Sequence, residues 1–425
     1  MKRYITLPEK VTPSMLHLSF WQDTSGGKVL LTGREIQSYN RRCEAESLCL
    51  SPLLWNRQEQ FGRQRLLHLI ESMGQPKAEW YAGTAPIGQT TAGRIVSRMA
   101  LESIPMQVSP EYGVAVSSTS ARLWPDDTFL TEKAGQSYDL SRQSEVRIND
   151  PLLLLHRSDD GAWWFAQGPG FGGWIPARDI AVFQDHQAWK AWFSRSMFLT
   201  VSRPVVYFED SMADHILPLR MGTVLPLAEV SRSPETIGHR MGDGCCTVLL
   251  PKRDSQGMFS FSYAFMPAGD GFTIGYGAYT ADELLRRALS FNGMRYGWGG
   301  DFGSYDCSGM IYALFRGFGF SFPRNSAEQA ELPGKRRNLQ GMGTDARKRE
   351  LCAAAPGSLL YMPGHICLYL GHYGGEFYAI SAVGSYMDES GTRREAQSVT
   401  ITPLSIRRGN GESWFDSITR IITIR

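Results

Sequence analysis

Tyr296-Gly297-Trp298-Gly299-Gly300, followed by Asp306-Cys307-Ser308-Gly309-Met310-Ile311-Tyr312-Ala313-Leu314-Phe315, is the stretch on which the reading of this chain turns. Met310, Ile311, Leu314 and Phe315 recur at helical spacing, and Gly317 and Gly319 end the run. Asp306 is a good N-cap, so Cys307 falls in the first helical turn. Unpaired N–H groups and the helix dipole favour an anion there. The spacing therefore predicts a thiol of lowered pKa, with backbone donors ready for a developing oxyanion. Most unpaired cysteines are small core residues. A core residue, however, needs no polar, Gly-rich, aromatic loop leading into it.

Further along, Pro356-Gly357-Ser358-Leu359-Leu360 reads as a turn and a strand. Pro363-Gly364 then turns into His365-Ile366-Cys367-Leu368-Tyr369-Leu370, with Ile366, Leu368 and Leu370 on one strand face. A lone histidine is more often structural. A histidine at a strand edge, following a helix-capped cysteine in the chain, supplies the base that a thiol nucleophile needs. The residues point to cysteine-peptidase chemistry, with Cys307 as nucleophile and His365 as base.

These segments together resemble the NlpC-type family of bacterial cell-wall cysteine peptidases. The resemblance covers about residues 280–425. It takes in the Tyr296-x-Trp298-Gly299-Gly300 loop, Asp306-Cys307-Ser308-Gly309, Pro323-Arg324-x-Ser326-x-x-Gln329, the Pro-Gly turn and Gly364-His365-x-x-Leu368-Tyr369-Leu370-Gly371. It implies a papain-like α+β fold. The substrate implied is a peptidoglycan stem peptide (L-Ala-γ-D-Glu-diamino acid), cut at the γ-D-glutamyl amide. Matched residue by residue, it assigns substrate binding to Tyr296, Asp306, Ser308 and Ser326. The Cys307 backbone N–H faces the oxyanion, and the third catalytic slot, on the strand after the base, falls at Ser381. The chain departs from the family pattern at two places. Ser358 stands where an Asp usually follows the Pro-Gly turn, and Ser381 stands where the third residue is often His.

The 425 residues suggest roughly three domains. Hydrophobic residues make up 42% and charged residues 20%, which supports packed cores and argues against disorder. With 44 Lys plus Arg against 42 Asp plus Glu, the net charge of +2 leaves no footprint for nucleic acid. Seven cysteines without a Cys-x-x-Cys pair indicate neither a disulfide framework nor a zinc site, and no metal or cofactor is implied. No apolar run approaches about 18 residues, so no transmembrane segment is expected. Met1-Lys2-Arg3 opens no signal peptide as it stands. The expected location is the cell envelope if a signal has been removed, with the cytoplasm as the alternative.

The expected architecture is multidomain α+β. Residues 1–110 form a helical N-terminal module, with a Thr32-x-x-Glu35 capping box and a second helix starting at Ser51-Pro52 and carrying Leu54, Phe61, Leu66, Leu69, Ile70 and Met73 inward. Cys43, Cys49, His17 and His68 are structural. Residues 111–190 and 191–278 read as short strands between polar turns, two SH3-like β-barrels. The first resembles a bacterial SH3-like domain through Asp159-Asp160-Gly161-Ala162-Trp163 and Gly173-Trp174-Ile175-Pro176-Ala177. Trp124, Trp163, Trp164 and Trp174 are mostly barrel core, with a minority free to face the cleft. Residues 279–425 form the peptidase domain. Its basic segment, Lys335-Arg336-Arg337 to Arg347-Lys348-Arg349, is solvated surface, and His372 is exposed.

Three expectations follow. Cys307 is alkylated ahead of the other cysteines. Asp306 favours peptides with a free N-terminal L-Ala by pairing with their α-ammonium. Ser381 holds the imidazole Nδ1–H. The alternatives are an N-acetylmuramoyl-L-alanine amidase and a non-catalytic peptidoglycan-binding protein.

Overall fold

The computed structural model describes residues 7–22, 26–46, 52–54, 61–210, 215–229, 231, 233–237, 240–242, 244–267, 269 and 271–425. Met1-Lys2-Arg3, Cys49 and Ser51 lie outside them. The capping box forms as the sequence announces: Thr32 Oγ1 accepts from the Glu35 N–H and the Glu35 carboxylate accepts from the Thr32 N–H, opening α1 (Gly33–Ala45). The next helix, α2 (Arg63–Glu71), begins later than expected. Phe61 and Gly62 instead form a short antiparallel pair with Val108 and Gln107. A third helix, α3, spans Gly88–Arg98.

These helices do not share a core of their own. Ile36, Tyr39 and Cys43 of α1 are buried in the same core as the helix that starts at Cys307. Asn40 of α1 donates to the Gly319 carbonyl and accepts from the Ser321 N–H, each at 2.9 Å. Val29–Leu31 pairs with Tyr279–Thr280, and Lys10 pairs with Glu376 at 3.0 Å. Leu66, Ile70 and Ile95 of α2 and α3 instead pack with Trp124, Phe165 and Trp174. The helices of residues 1–110 thus divide between two cores, because α1 buries its apolar stripe in one while α2 and α3 bury theirs in the other.

That second core lies on a seven-stranded antiparallel sheet. Its strands are β1 (Glu111–Ala115), β2 (Thr119–Arg122), β3 (Arg142–Val146), β4 (Pro151–Arg157), β5 (Trp163–Gly168), β6 (Phe171–Pro176) and β7 (Ile180–Val182), in the order β7-β1-β4-β5-β6-β2-β3. The four tryptophans singled out by sequence are all buried, at 5% exposure or less, so none is free to face a ligand. After helix α4 (His186–Phe193), a three-stranded sheet is built from β8 (Phe198–Val201), with β9 (Val205–Asp210) and β10 (His215–Arg220) forming a ribbon and β11 (Val224–Pro226) returning beside β8. A second ribbon, β12 (Cys245–Arg253) and β13 (Phe259–Pro267), precedes β14 (Phe272–Ile274), which completes the β11-β8-β14 sheet. Val201, Phe208, Leu219, Leu250 and Met266 are buried together between these pieces. Among the described residues neither β unit closes into a barrel: in the first, β7 and β3 remain outer edges. The overall architecture is mixed α/β.

The C-terminal domain packs α5 (Ala281–Ser290) and α6 (Cys307–Arg316) on a six-stranded sheet. The strands are β15 (Lys335–Asn338), β16 (Leu359–Met362), β17 (His365–Tyr373), β18 (Glu376–Met387), β19 (Arg393–Pro403) and β20 (Arg420–Thr423), in the order β15-β20-β16-β17-β18-β19. Every residue of α6 from Ser308 to Phe315 is buried. Ile366, Leu368 and Leu370 of β17 share the core of that helix, on the one face the alternation predicts, while Cys367 and Tyr369 face a second core with Trp414. A strand covered on both faces reads as an unbroken apolar run. Burial of Leu314 at this junction is worth about 1.5–3 kcal/mol. The basic segment is partly paired, Arg336 with Glu331 and Arg337 with Glu350, and Arg347, unlike the solvated residue expected, is buried and donates to the Met342, Phe415 and Ile418 carbonyls. His372 is exposed, as expected.

Candidate active site

The N-terminus of α6 is held by side-chain hydrogen bonds. Asp306 Oδ1 accepts from the Gly309 N–H at 2.7 Å, the N-cap bond that places Cys307 at the first helical position. Oδ2 accepts from the Gly299 N–H at 2.9 Å, so the same carboxylate holds the Gly-rich loop. The carboxylate is also bound by both ends of the Arg324 guanidinium, Nη1 to Oδ1 at 3.0 Å and Nη2 to Oδ2 at 2.5 Å. Ser308 Oγ lies 3.3 Å from Oδ1 and accepts from Arg324 Nη1 at 3.0 Å. Asp306 is only 7% exposed. Burial alone would raise its pKa, but the Arg324 cation and the two N–H donors hold it below the usual carboxylate range. The carboxylate expected to meet a substrate ammonium is therefore already compensated within the protein.

Cys307 is half-buried, and its Sγ lies against the N–H groups of Ser308 and Ile366, the residue after His365. These amides and Arg324 favour the thiolate. Burial, and then the neighbouring Asp306 charge, oppose it and push the thiol up to about 11. Desolvation outweighs the helix terminus, which corrects the expectation of an acidified thiol. His365 moves the other way: burial, and then the Arg408 cation, push the imidazole down to about 4. The resting pair is thus a neutral thiol and a neutral imidazole. His365 Nε2 lies 3.0 Å from Ser381 Oγ, which is fully buried, and the ring packs on Trp414 at 4.6 Å between centroids. Ser381 therefore meets Nε2 rather than Nδ1, and Nδ1 is the nitrogen left for the thiol. Among the described residues no hydrogen bond joins the Cys307 thiol to the ring.

Two consequences are measurable. The acid limb of kcat/KM should fall near pH 4, the value to which the base is held, instead of near 6.5. At pH 7 iodoacetamide should modify the exposed Cys352 before Cys307, whose thiolate fraction is small. Peptide mapping that finds Cys307 modified first would restore the acidified-thiol reading.

Of the other expected site residues, Tyr296 lies near Asp306 and Cys307. Tyr296 is half-buried, and burial, followed by the Asp306 and Cys307 charges, pushes its phenol upward. Ser326 is half-buried at the start of a short helix, Ser326–Gln329, whose Gln329 Nε2 donates to the Ser308 carbonyl at 3.0 Å. Ser358 is buried, bonded to the Ala355 carbonyl and to Thr423 Oγ1, each at 2.7 Å.

The first β unit supplies one wall of the site. Gly299 has φ +60°, and a Cβ there would stand 2.8 Å from Arg142 Cβ and 2.9 Å from its carbonyl oxygen, so only glycine lets the loop lie on β3. Arg142 also pairs with Asp301 at 2.9 Å. The β5–β6 turn reaches α6, with Tyr312 Oη donating to the Pro169 carbonyl and the Arg324 N–H to the Gly170 carbonyl. Tyr138 stacks edge-on to Tyr296 at 5.4 Å and donates to Gln397 Oε1 at 2.7 Å. The positions of Arg408 and Tyr138 were not visible in the sequence. Arg324 was visible as part of the Pro323-Arg324-x-Ser326 motif, but its partner was not. Among the described residues no group of three His, Cys, Asp or Glu is arranged to hold a metal ion, and no helix is long and apolar enough to cross a membrane.

Comparison with known proteins gives the kinds of domain the chain carries. Residues 293–411 match the sequence model of the NlpC/P60 family, and residues 127–176 match that of an SH3 domain of the SH3b1 type. The chain carries an NlpC/P60 domain behind an SH3b domain. Among individual relatives, the gamma-D-glutamyl-L-lysine dipeptidyl-peptidase of Bacillus cereus is 28% identical over 223 residues, 49% of this chain and 60% of the relative. The Bacillus subtilis enzyme of the same name is 22% identical over 224 residues, 49% of this chain and 64% of the relative. The chain thus spans less than two thirds of either. In fold it is similar to an NlpC/P60 endopeptidase from Photobacterium damselae subsp. piscicida, with a TM-score of 0.76 over 99% of this chain and 98% of that one, at 19% identity.

Proposed function

We propose that this protein is a cysteine peptidase that cleaves the γ-D-glutamyl–diamino acid amide of peptidoglycan stem peptides. The observation that carries the reading is the arrangement of a capped-helix thiol, Cys307, against the strand that opens with His365, itself bound to buried Ser381. In this reading His365 takes the thiol proton as Sγ attacks the γ-carbonyl. It then protonates the leaving amine, and water hydrolyses the thioester. A neutral resting pair means that thiolate forms during attack and is not stored. The Cys307 N–H at the helix terminus faces the oxyanion, and Tyr296, Asp306, Ser308 and Ser326 frame the acyl half of the substrate. Asp306 serves there mainly by holding Ser308 and the loop in place.

The same reading includes a preference for fragments with a free N-terminal L-Ala. Its support is the wall formed where Tyr138 of the SH3b side meets Tyr296, together with the word dipeptidyl-peptidase in the relatives' names. A cleft closed at that end accepts two residues and no more. The proposed organisation keeps a second SH3-like unit over 191–278 and a stabilising helical role for 1–110. A wall substrate suits the cell envelope, and recycled fragments suit the cytoplasm.

Incubation with L-Ala-γ-D-Glu-diamino acid tripeptides, read by mass spectrometry, tests the reading. Release of L-Ala-D-Glu supports it, and inertness toward every tripeptide removes it. Equal rates on N-acetylated and free tripeptides would remove only the terminal preference.

Ser381→Ala should lower kcat roughly tenfold, about 1.4 kcal/mol. A hydroxyl orients the ring through Nε2 but brings no charge to the imidazolium, so the loss should be far smaller than for His365. Ser381→His should stay active. A Ser381→Ala variant with unchanged kcat would show that Trp414 packing alone orients the base.

A further inference from the structure

One cation beside the base has no task in the reading above. Arg408 is half-buried, and its Nη2 donates to the Pro363 carbonyl at 2.7 Å, two residues before His365. The same nitrogen lies 3.9 Å from where a Cβ on Gly364 would stand. Its own backbone is fixed in a turn, with the Arg408 N–H donating to the Glu412 carbonyl at 2.8 Å and its carbonyl accepting from the Gly411 N–H at 2.9 Å. Neighbouring arginines are engaged elsewhere: Arg394 pairs with Asp388, Arg420 with Glu331, and Arg407 donates to the Gly411 carbonyl. Among the described residues no carboxylate pairs with Arg408.

Such an arrangement has two costs. A partly desolvated cation without a counterion costs free energy, and its field works against protonation of His365. Both costs are removed when an anion docks on the guanidinium. The anion has to come from the leaving half of the substrate. His365 must deliver a proton to the departing nitrogen, so that half passes over the His365 flank, where Arg408 stands.

We propose that Arg408 sets specificity on the leaving-group side, its guanidinium taking a carboxylate carried by the departing diamino acid. This inference rests on the peptidase reading above. The carboxylate has two chemical sources: the free α-carboxylate of a C-terminal diamino acid, or the second carboxylate of a diaminodicarboxylic acid. A lysine side chain offers neither and brings a like charge.

The test uses the full chain and three peptides: L-Ala-γ-D-Glu-L-Lys as the free acid, the same peptide as its C-terminal amide, and L-Ala-γ-D-Glu-meso-diaminopimelate with its α-carboxylate amidated. Wild type should prefer a carboxylate-bearing peptide over the lysine amide by about tenfold or more in kcat/KM, as a charge-assisted hydrogen bond supplies. Whichever carboxylate peptide carries the preference identifies the source. In Arg408→Gln the preference should collapse toward one, through KM, and Arg408→Lys should restore part of it. A wild type indifferent to carboxylates would overturn the inference. So would an Arg408→Gln variant that keeps the preference, or one that slows all three peptides equally, which would make Arg408 only an anchor of the Pro363 turn. A wild type that cleaves none of the three removes the peptidase reading itself, and this inference with it.

Discussion

Cys307→Ala should reduce hydrolysis of the tripeptides by on the order of 10⁴-fold or more, with thermal unfolding unchanged. On the proposed mechanism the loss is total in kind because Cys307 Sγ forms the thioester; no other thiol replaces it on α6, and Cys367 of β17 faces the second core with Trp414. The fold should survive because alanine is the best residue for a first helical turn and the Asp306 cap to Gly309 does not involve the thiol. Mass spectrometry of the products and a melting curve decide it together. Hydrolysis within tenfold of wild type, in a folded variant, would displace Cys307 as nucleophile.

Arg324→Met should cost about 3–5 kcal/mol of stability, the usual consequence of stripping one partner from a buried ion pair. The reason lies in Asp306, which is deeply buried and relies on Arg324 to offset its desolvation. Without the guanidinium, the carboxylate either stays charged at a high cost or takes up a proton. Its pKa in the native protein is held below the ordinary value, so the stability it contributes is present above that value and is lost as pH falls through the native one. Arg324→Met should therefore lose the most near neutral pH and differ least from wild type in acid. The double variant Asp306→Asn/Arg324→Met should recover much of the loss, since asparagine still caps the helix and leaves no charge. Urea unfolding of wild type, Asp306→Asn, Arg324→Met and the double variant tests this, and additive losses would show that the pair is not the source.

Much of the site was legible because its logic is local. The Asp306 cap, the α6 periodicity and the Pro363-Gly364 turn before His365 are encoded over a few residues each, and local rules place them correctly. The capping box at Thr32 and Glu35 formed for the same reason. The start of α2 was misread because Phe61 pairs with Val108, a partner far along the chain that no helical pattern announces. The lowered thiol pKa was misread because the helix terminus is a local property, whereas burial and the charge balance around Cys307 depend on everything packed nearby.

By itself the sequence determined the capped helix that opens at Cys307, the strand that opens at His365, their order along the chain and the sheet-and-helix unit that carries them, since periodicity and capping act within a turn or a strand. Only the tertiary structure decided which side chains surround them. It closed the Arg324–Asp306 pair across 18 residues, brought Ser381 to Nε2 of His365, laid β3 of the SH3b side against the Gly-rich loop at Gly299, and put the Arg408 guanidinium on the Pro363 carbonyl just before the base, with no carboxylate partner among the described residues. Distances between side chains and the desolvation they impose are set by how the sheets pack, so they emerge only once the chain is folded.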